Sequence, residues 1–190
     1  RGLHALSGRS GRFVPFNCAG CPPNLLESEL FGVERGAFTG ADRARGGLIR
    51  EATGGTLFLD EVGDLRPESQ GALLRFLDSG EVRALGSGEI GSVPLGVVAA
   101  TLRPLDAGMR AGGFRPDLYY RLAQGFVSVP PLRARRDDVT PLIHGLWRRN
   151  FGSRPPVWLD APWVRELLRA HPWRGNVREL AQFLHRLQAR

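Results

Sequence analysis

The segment Thr56-Leu57-Phe58-Leu59 constrains the fold most, because it runs without a polar break into Asp60-Glu61. A strand with one face in water alternates apolar and polar positions. A continuously apolar strand is buried on both faces, as in parallel sheets covered by helices. Val97-Val98-Ala99-Ala100-Thr101 and Phe126-Val127-Ser128-Val129 are further runs of this kind, the second closed by Pro130-Pro131. Arg12 to Cys18 reads as another short strand with Asn17 near its C-terminal end. Helical segments fall between them. One runs from Leu25 to Phe31 and stops at Gly32; another opens at Pro67 and carries Leu73, Leu74, Phe76 and Leu77. Short apolar strands alternating with helices predict an α/β fold with a parallel sheet.

Glycines 80, 86, 88 and 91 predict a loop or hairpin, and Gly32 to Gly47 a glycine-spaced loop. Beyond Arg136 the pattern becomes purely helical. Asp137 to Phe151 carries Val139, Leu142, Ile143, Leu146 and Trp147 at helical spacing, Pro155-Pro156 interrupts, and Leu159 to Ala170 forms a second helix. A last helix is expected to open with Asn176 as N-cap and Glu179 at N3, its stripe being Val177, Leu180, Leu184 and Leu187. The expected organisation is an α/β domain over residues 1–136 and a small helical domain over 137–190.

All 26 cationic side chains are arginine, against 19 acids, for a formal net charge of +7. With no lysine, these residues hold no ammonium group for Schiff-base chemistry, a lysine base or a phosphate-loop lysine. Like charges form no block, so a solvated arginine-rich surface accounts for the basic balance better than a nucleic-acid patch. Cys18 and Cys21 make one C-x-x-C with no second pair and no partnered histidines, too few ligands for structural zinc; reduced thiols are expected. No apolar run approaches the roughly 20 residues of a membrane helix, and the N-terminus lacks the shape of a signal peptide, which predicts a cytoplasmic protein without membrane contact.

Three elements carry chemistry. An apolar strand ending in Asp60-Glu61 is the Walker B arrangement: the first acid suits Mg²⁺ and the second can orient a water for phosphoryl transfer. Arg115 and Arg121 are spaced so that they splay rather than share a helix face, and could reach two phosphate positions, including those of a neighbour's nucleotide; two surface arginines are the plainer alternative. In Gly36-Ala37-Phe38-Thr39-Gly40-Ala41, small residues bracket one aromatic and one hydroxyl. That composition suits a reorganising loop with Phe38 as a contact residue, or one whose Phe folds back into the core.

Leu25-Leu-Glu-Ser-Glu-Leu-Phe-Gly32, the 36–41 hexapeptide and Gly54-Gly-Thr-Leu-Phe-Leu-Asp-Glu61 resemble the AAA+ domain of sigma-54-dependent transcription activators. So do Phe114-Arg-Pro-Asp-Leu-Tyr-Tyr-Arg-Leu122, Pro130-Pro-Leu-Arg133 and Pro172-Trp-Arg-Gly-Asn-Val-Arg-Glu-Leu180. The resemblance implies a helix-sandwiched P-loop-type sheet with a helical lid, binding ATP and Mg²⁺ and hydrolysing ATP in a self-associated ring, a hexamer. Asp60 and Glu61 would be the Mg²⁺ and water-activating acids, Asn17 the switch asparagine, Thr101 the remaining first-sensor group, Arg115 and Arg121 arginine fingers, and Arg178 the second sensor. The loop Gly36, Ala37, Phe38, Thr39, Gly40 and Ala41 would engage sigma-54 RNA polymerase holoenzyme, with DNA contacted only through a domain outside these residues.

Three departures qualify the resemblance. The family's P-loop would stand just before the segment matched by Arg1-Gly-Leu-His4. The expectation is therefore a chain truncated after that loop and lacking the first, central strand, which would leave backbone donors and apolar faces exposed. Leu102 stands where the family has Asn or His, and leucine donates no hydrogen bond. Pro116 stiffens the approach to Arg115. A nucleotide-dead sigma-54-binding module, or a non-functional fragment, is the alternative expectation.

Overall fold

Residues 1–38 and 41–189 are described by the structure, a computed structural model. The chain divides into two units, Arg1–Phe126 and Val127–Arg190. The first opens with helix α1 (Gly2–Leu6), strand β1 (Phe13–Asn17) and helix α2 (Pro23–Phe31). Gly32 ends α2 at a φ of 89°, where only glycine is unstrained, and a Cβ there would stand 2.7 Å from the Arg45 carbonyl oxygen and 2.8 Å from the Gly47 nitrogen. That close approach is a small antiparallel ladder of β2 (Gly32–Val33) with β3 (Arg45–Gly46). The stretch predicted as a glycine-spaced loop is thus closed at its base by backbone pairing.

Helix α3 (Leu48–Glu51) leads into β4 (Thr56–Asp60), a 3-10 turn over Val62–Asp64 and helix α4 (Pro67–Ser79). The glycines at 80–91 form a hairpin of β5 (Glu81–Val82) and β6 (Gly91–Ser92), followed by β7 (Gly96–Ala99), α5 (Leu105–Arg110) and α6 (Pro116–Leu122).

The parallel sheet has the order β1-β4-β7, with β4 in the middle. On one face Leu57 and Leu59 are wholly buried in a core with Val14, Leu30, Ile49, Leu73 and Leu118. Each such leucine contributes about 1.5–3 kcal/mol by leaving water. On the other face Phe58 is half-buried and stacks on Phe13 at 5.9 Å, with His4 of α1 against Phe13 at 5.7 Å. The second face is therefore covered more lightly than the apolar run alone predicts.

The strand predicted at 126–129 is absent: Phe126, Val127 and Val129 are 80%, 77% and 73% exposed and lie in no strand. Apolar composition favours a strand only where a neighbour takes up its backbone groups. Among the described residues no partner does so there, and β7 pairs with β4 alone.

The second unit is helical, with 3-10 turns at Leu132–Ala134, Arg136–Asp138 and Val157–Asp160, and helices α7 (Val139–Phe151), α8 (Pro162–Ala170) and α9 (Asn176–Gln188). Its core gathers Leu132, Val139, Ile143, Trp147, Leu168, Trp173, Leu180 and Leu184. The predicted cap of α9 differs in detail. Asn176 has a φ of 54°, and its Oδ1 accepts the Leu132 N–H at 2.8 Å, pinning a distant turn instead of capping its own helix. Glu179 does reach back, accepting the Gly175 N–H at 2.7 Å, so Gly175 takes the N-cap position.

Candidate nucleotide site and partner loop

Parallel pairing brings three predicted site residues to one edge of the sheet. Asn17 and Asp60 are register partners at the C-terminal ends of β1 and β4, and Thr101 follows β7 on the far side. This edge is where α/β sheets present side chains to ligands. Asn17 Oδ1 accepts the N–H groups of Ala19 (2.9 Å) and Gly20 (3.1 Å), so its oxygen is engaged by its own turn. The Asp60 carboxylate has no hydrogen-bond or ion-pair partner among the described residues.

Glu61 occupies a left-handed conformation (φ 54°) that a non-glycine residue adopts only when its surroundings impose it. Two contacts impose it: Val62 N–H donates to Ala100 O at 3.0 Å, and the Glu61 carboxylate accepts the Leu102 N–H at 3.1 Å. The Leu102 side chain points away and is 88% exposed. This position thus acts on Glu61 through its backbone, which no side-chain motif could reveal. Thr101 Oγ1 accepts the Arg103 N–H at 3.0 Å and lies 2.8 Å from where a Cβ on Gly63 would stand. Arg103 also pairs with Asp64. Burial, and next the nearby Asp60 and Asp64 carboxylates, push the Cys18 thiol up to about 12, which keeps it a neutral core thiol at ordinary pH.

The two arginines are held differently. Arg115 precedes α6, its guanidinium bonded to Asp117 through Nε (3.0 Å to Oδ1) and Nη2 (2.7 Å to Oδ2). The same pairing holds the Asp117 carboxyl below its ordinary range and raises Arg115. Arg121, in the last turn of α6, donates to the Leu77 carbonyl from Nε (3.1 Å) and Nη2 (2.6 Å) and pairs with Asp78 at 3.2 Å. Both arginines are therefore preorganised against their own chain, with partly exposed heads.

In the loop predicted to contact a partner, Gly36 (φ 82°) donates its N–H to Ala41 O at 2.8 Å, and Ala41 donates to Phe38 O at 3.0 Å. Ala41 is buried and Phe38 exposed, at 43%. Ala37 rests on Gly86 of the neighbouring hairpin, where a Cβ would come within 2.7 Å of its own. Thr39 and Gly40, also predicted as contact residues, lie outside the described residues. Arg178 is exposed in the first turn of α9 in the second unit.

Residues 1–128 match the Sigma-54 interaction domain and residues 133–189 the AAA+ ATPase lid domain. The chain belongs to the sigma-54 interaction domain family. Transcriptional regulatory protein ZraR of Escherichia coli (strain K12) is 48% identical over 189 residues, covering 98% of this chain and 43% of that protein. Hydrogenase transcriptional regulatory protein HoxA of Cupriavidus necator is 46% identical over 192 residues, covering 100% and 40%. The chain spans less than half the length of these relatives. Among solved structures, NtrX from Brucella abortus in complex with ATP superposes with a TM-score of 0.82 at 33% identity, over 98% of this chain and 41% of that one. The Saccharomyces cerevisiae Hsp104:casein complex superposes with a TM-score of 0.70 at 17% identity, over 92% and 34%, a likeness of fold alone.

Within this sigma-54 interaction domain, the donor set at the sheet edge fits a nucleotide-borne Mg²⁺ better than a protein-held ion. Among the described residues no three His, Cys, Asp or Glu side chains converge on one point. One free carboxylate with phosphate oxygens completing the shell is how Mg²⁺ is commonly held. No helix among the described residues is long and apolar enough to cross a membrane.

Proposed function

We propose that this chain is the ATPase module of a sigma-54-dependent transcription activator that assembles as a hexameric ring and remodels sigma-54 RNA polymerase at promoters through the loop Gly36–Ala41. The observation that carries the reading is the convergence of Asn17, Asp60 and Thr101 on one sheet edge, with Glu61 clamped beside them. Asp60 would hold Mg²⁺, and Glu61 would orient a water and take its proton on the carboxylate. Bound ATP with Mg²⁺ supplies the transferable phosphoryl group and its charge. Arg115 and Arg121 would turn their partly exposed guanidiniums to the phosphates of a neighbouring subunit, and Arg178 would contact the nucleotide from the lid. Phe38, with Thr39, would meet sigma-54.

The 190 residues contain no lysine, so the ATPase reading requires a phosphate-loop lysine from outside them. The gene upstream of Arg1 tests this: the absence of a Gly-Lys phosphate loop there overturns the ATPase reading. Calorimetric titration of the full-length protein with ATP is the direct measurement, with saturable binding expected. The exposed Leu102 side chain at the sensor position favours a second reading, a loop-presenting module without hydrolysis. ATP turnover by the full-length protein eliminates that reading.

A further inference from the structure

Gln70, in α4, is wholly shut off from water beside Leu73 and Phe76. A primary amide carries two donor hydrogens and an acceptor oxygen, and burying any of them unmatched is costly. Here all are matched, and every side-chain partner is main chain from outside α4. Nε2 donates to Leu65 O at 2.9 Å and to Gly113 O at 2.9 Å, while Oε1 accepts the Arg115 N–H at 2.7 Å.

Those partners belong to two parts of the site. Leu65 closes the turn that leaves Glu61: Asp64 N–H donates to Glu61 O at 3.0 Å and Leu65 N–H to Val62 O at 3.2 Å. The same turn is tied to the residues that follow β7 through the Val62 N–H and through the Glu61 carboxylate, so several bonds hold it together. On the other side, Gly113 and Arg115 flank the buried Phe114, and Arg115 opens α6. The Arg121 guanidinium is held by Leu77 and Asp78, further along the same α4.

We propose that Gln70 is a positioning residue that couples the Glu61 turn to the backbone of Arg115, so that displacement at the strand end carrying the acids is passed to the arginine serving a neighbouring subunit. Its consequence for catalysis rests on the ATPase reading above; the mechanical tie rests on the three hydrogen bonds alone.

The test uses the full-length protein, with Gln70→Met, which keeps the length but loses all three bonds, and Gln70→Glu, which keeps the acceptor and loses both donors. Leu73→Ala serves as a destabilised control without a polar role. Hydrogen exchange followed by mass spectrometry is expected to speed up on the order of tenfold at 113–115 and at 62–66 in both Gln70 variants, with β1 and β4 unchanged. ATP turnover is expected to lose about tenfold to a hundredfold in kcat with KM within about threefold, whereas Leu73→Ala lowers the melting temperature without that kcat loss. In the unmodified protein the amides of 62–66 and 113–115 are expected to open together, a readout needing no variant. Independent opening of the two segments, unchanged exchange in the variants, or a kcat loss no larger than in the equally destabilised control overturns the coupling. A wild-type protein without turnover overturns the ATPase reading instead, and exchange then decides the tie by itself.

Discussion

At the scale of single residues, backbone groups decide what the acids do. Glu61 is held in a left-handed conformation by the Leu102 N–H, so the leucine that would disqualify a side-chain sensor leaves the carboxylate oriented. Replacing Glu61 with Gln keeps the size and removes the carboxylate that the proposed mechanism uses as its base. In the full-length protein kcat is expected to fall by about 10²–10⁴-fold with ATP binding retained, measured by steady-state turnover and calorimetry. The Arg115–Asp117 pair gives a pH expectation. Because the Asp117 carboxyl titrates below its ordinary range, the contribution of the pair is complete above that ordinary range and disappears as pH falls through the lowered value. At neutral pH the Asp117 carboxylate is therefore ionised beside the Arg115 guanidinium. NMR titration of Asp117 is expected to move upward, toward the ordinary carboxylate range, in Arg115→Ala.

Among elements, glycine placement separates backbone necessity from free space. Gly32→Ala forces a side chain onto a φ of 89° and against backbone atoms at 2.7 and 2.8 Å, whereas Gly46, its register partner, has nothing within 4 Å of a new Cβ. The first substitution is expected to cost about 1–3 kcal/mol or more and to lower the melting temperature by several degrees; Gly46→Ala should stay within about 1 kcal/mol, as thermal unfolding would register. This ladder also closes the base of the loop that carries Phe38. Elements dictated by local pattern were legible in the sequence: the apolar run of β4, Pro67 opening α4, and the Leu180–Leu184 stripe of α9. The strand expected at 126–129 was not, since a strand exists only through a partner and apolar composition names none. Asn176 shows the same limit, with a capping residue's identity but a partner, Leu132, from a far part of the chain.

For the whole molecule, the sigma-54 interaction domain and the lid coincide broadly with the two units of the chain. In the proposed ring the acids of one subunit work with the arginines of the next. Full-length Glu61→Gln and Arg115→Ala proteins, each inactive alone, are therefore expected to regain turnover when mixed, because some interfaces then join an intact glutamate to an intact arginine. A mixture as inactive as its parents would place both groups in one subunit's site.

The sequence by itself determined the α/β class, the helical second part, the family, and which acids and arginines to examine, because apolar period and contiguous motifs are local properties. Only the tertiary structure decided that Asn17, Asp60 and Thr101 share an edge, that Leu102 serves Glu61 through its N–H, and that Gln70 joins the Glu61 turn to Arg115. Those contacts link segments far apart in the chain, mostly through main-chain atoms that every residue carries. They leave no mark in a sequence until the backbone is folded.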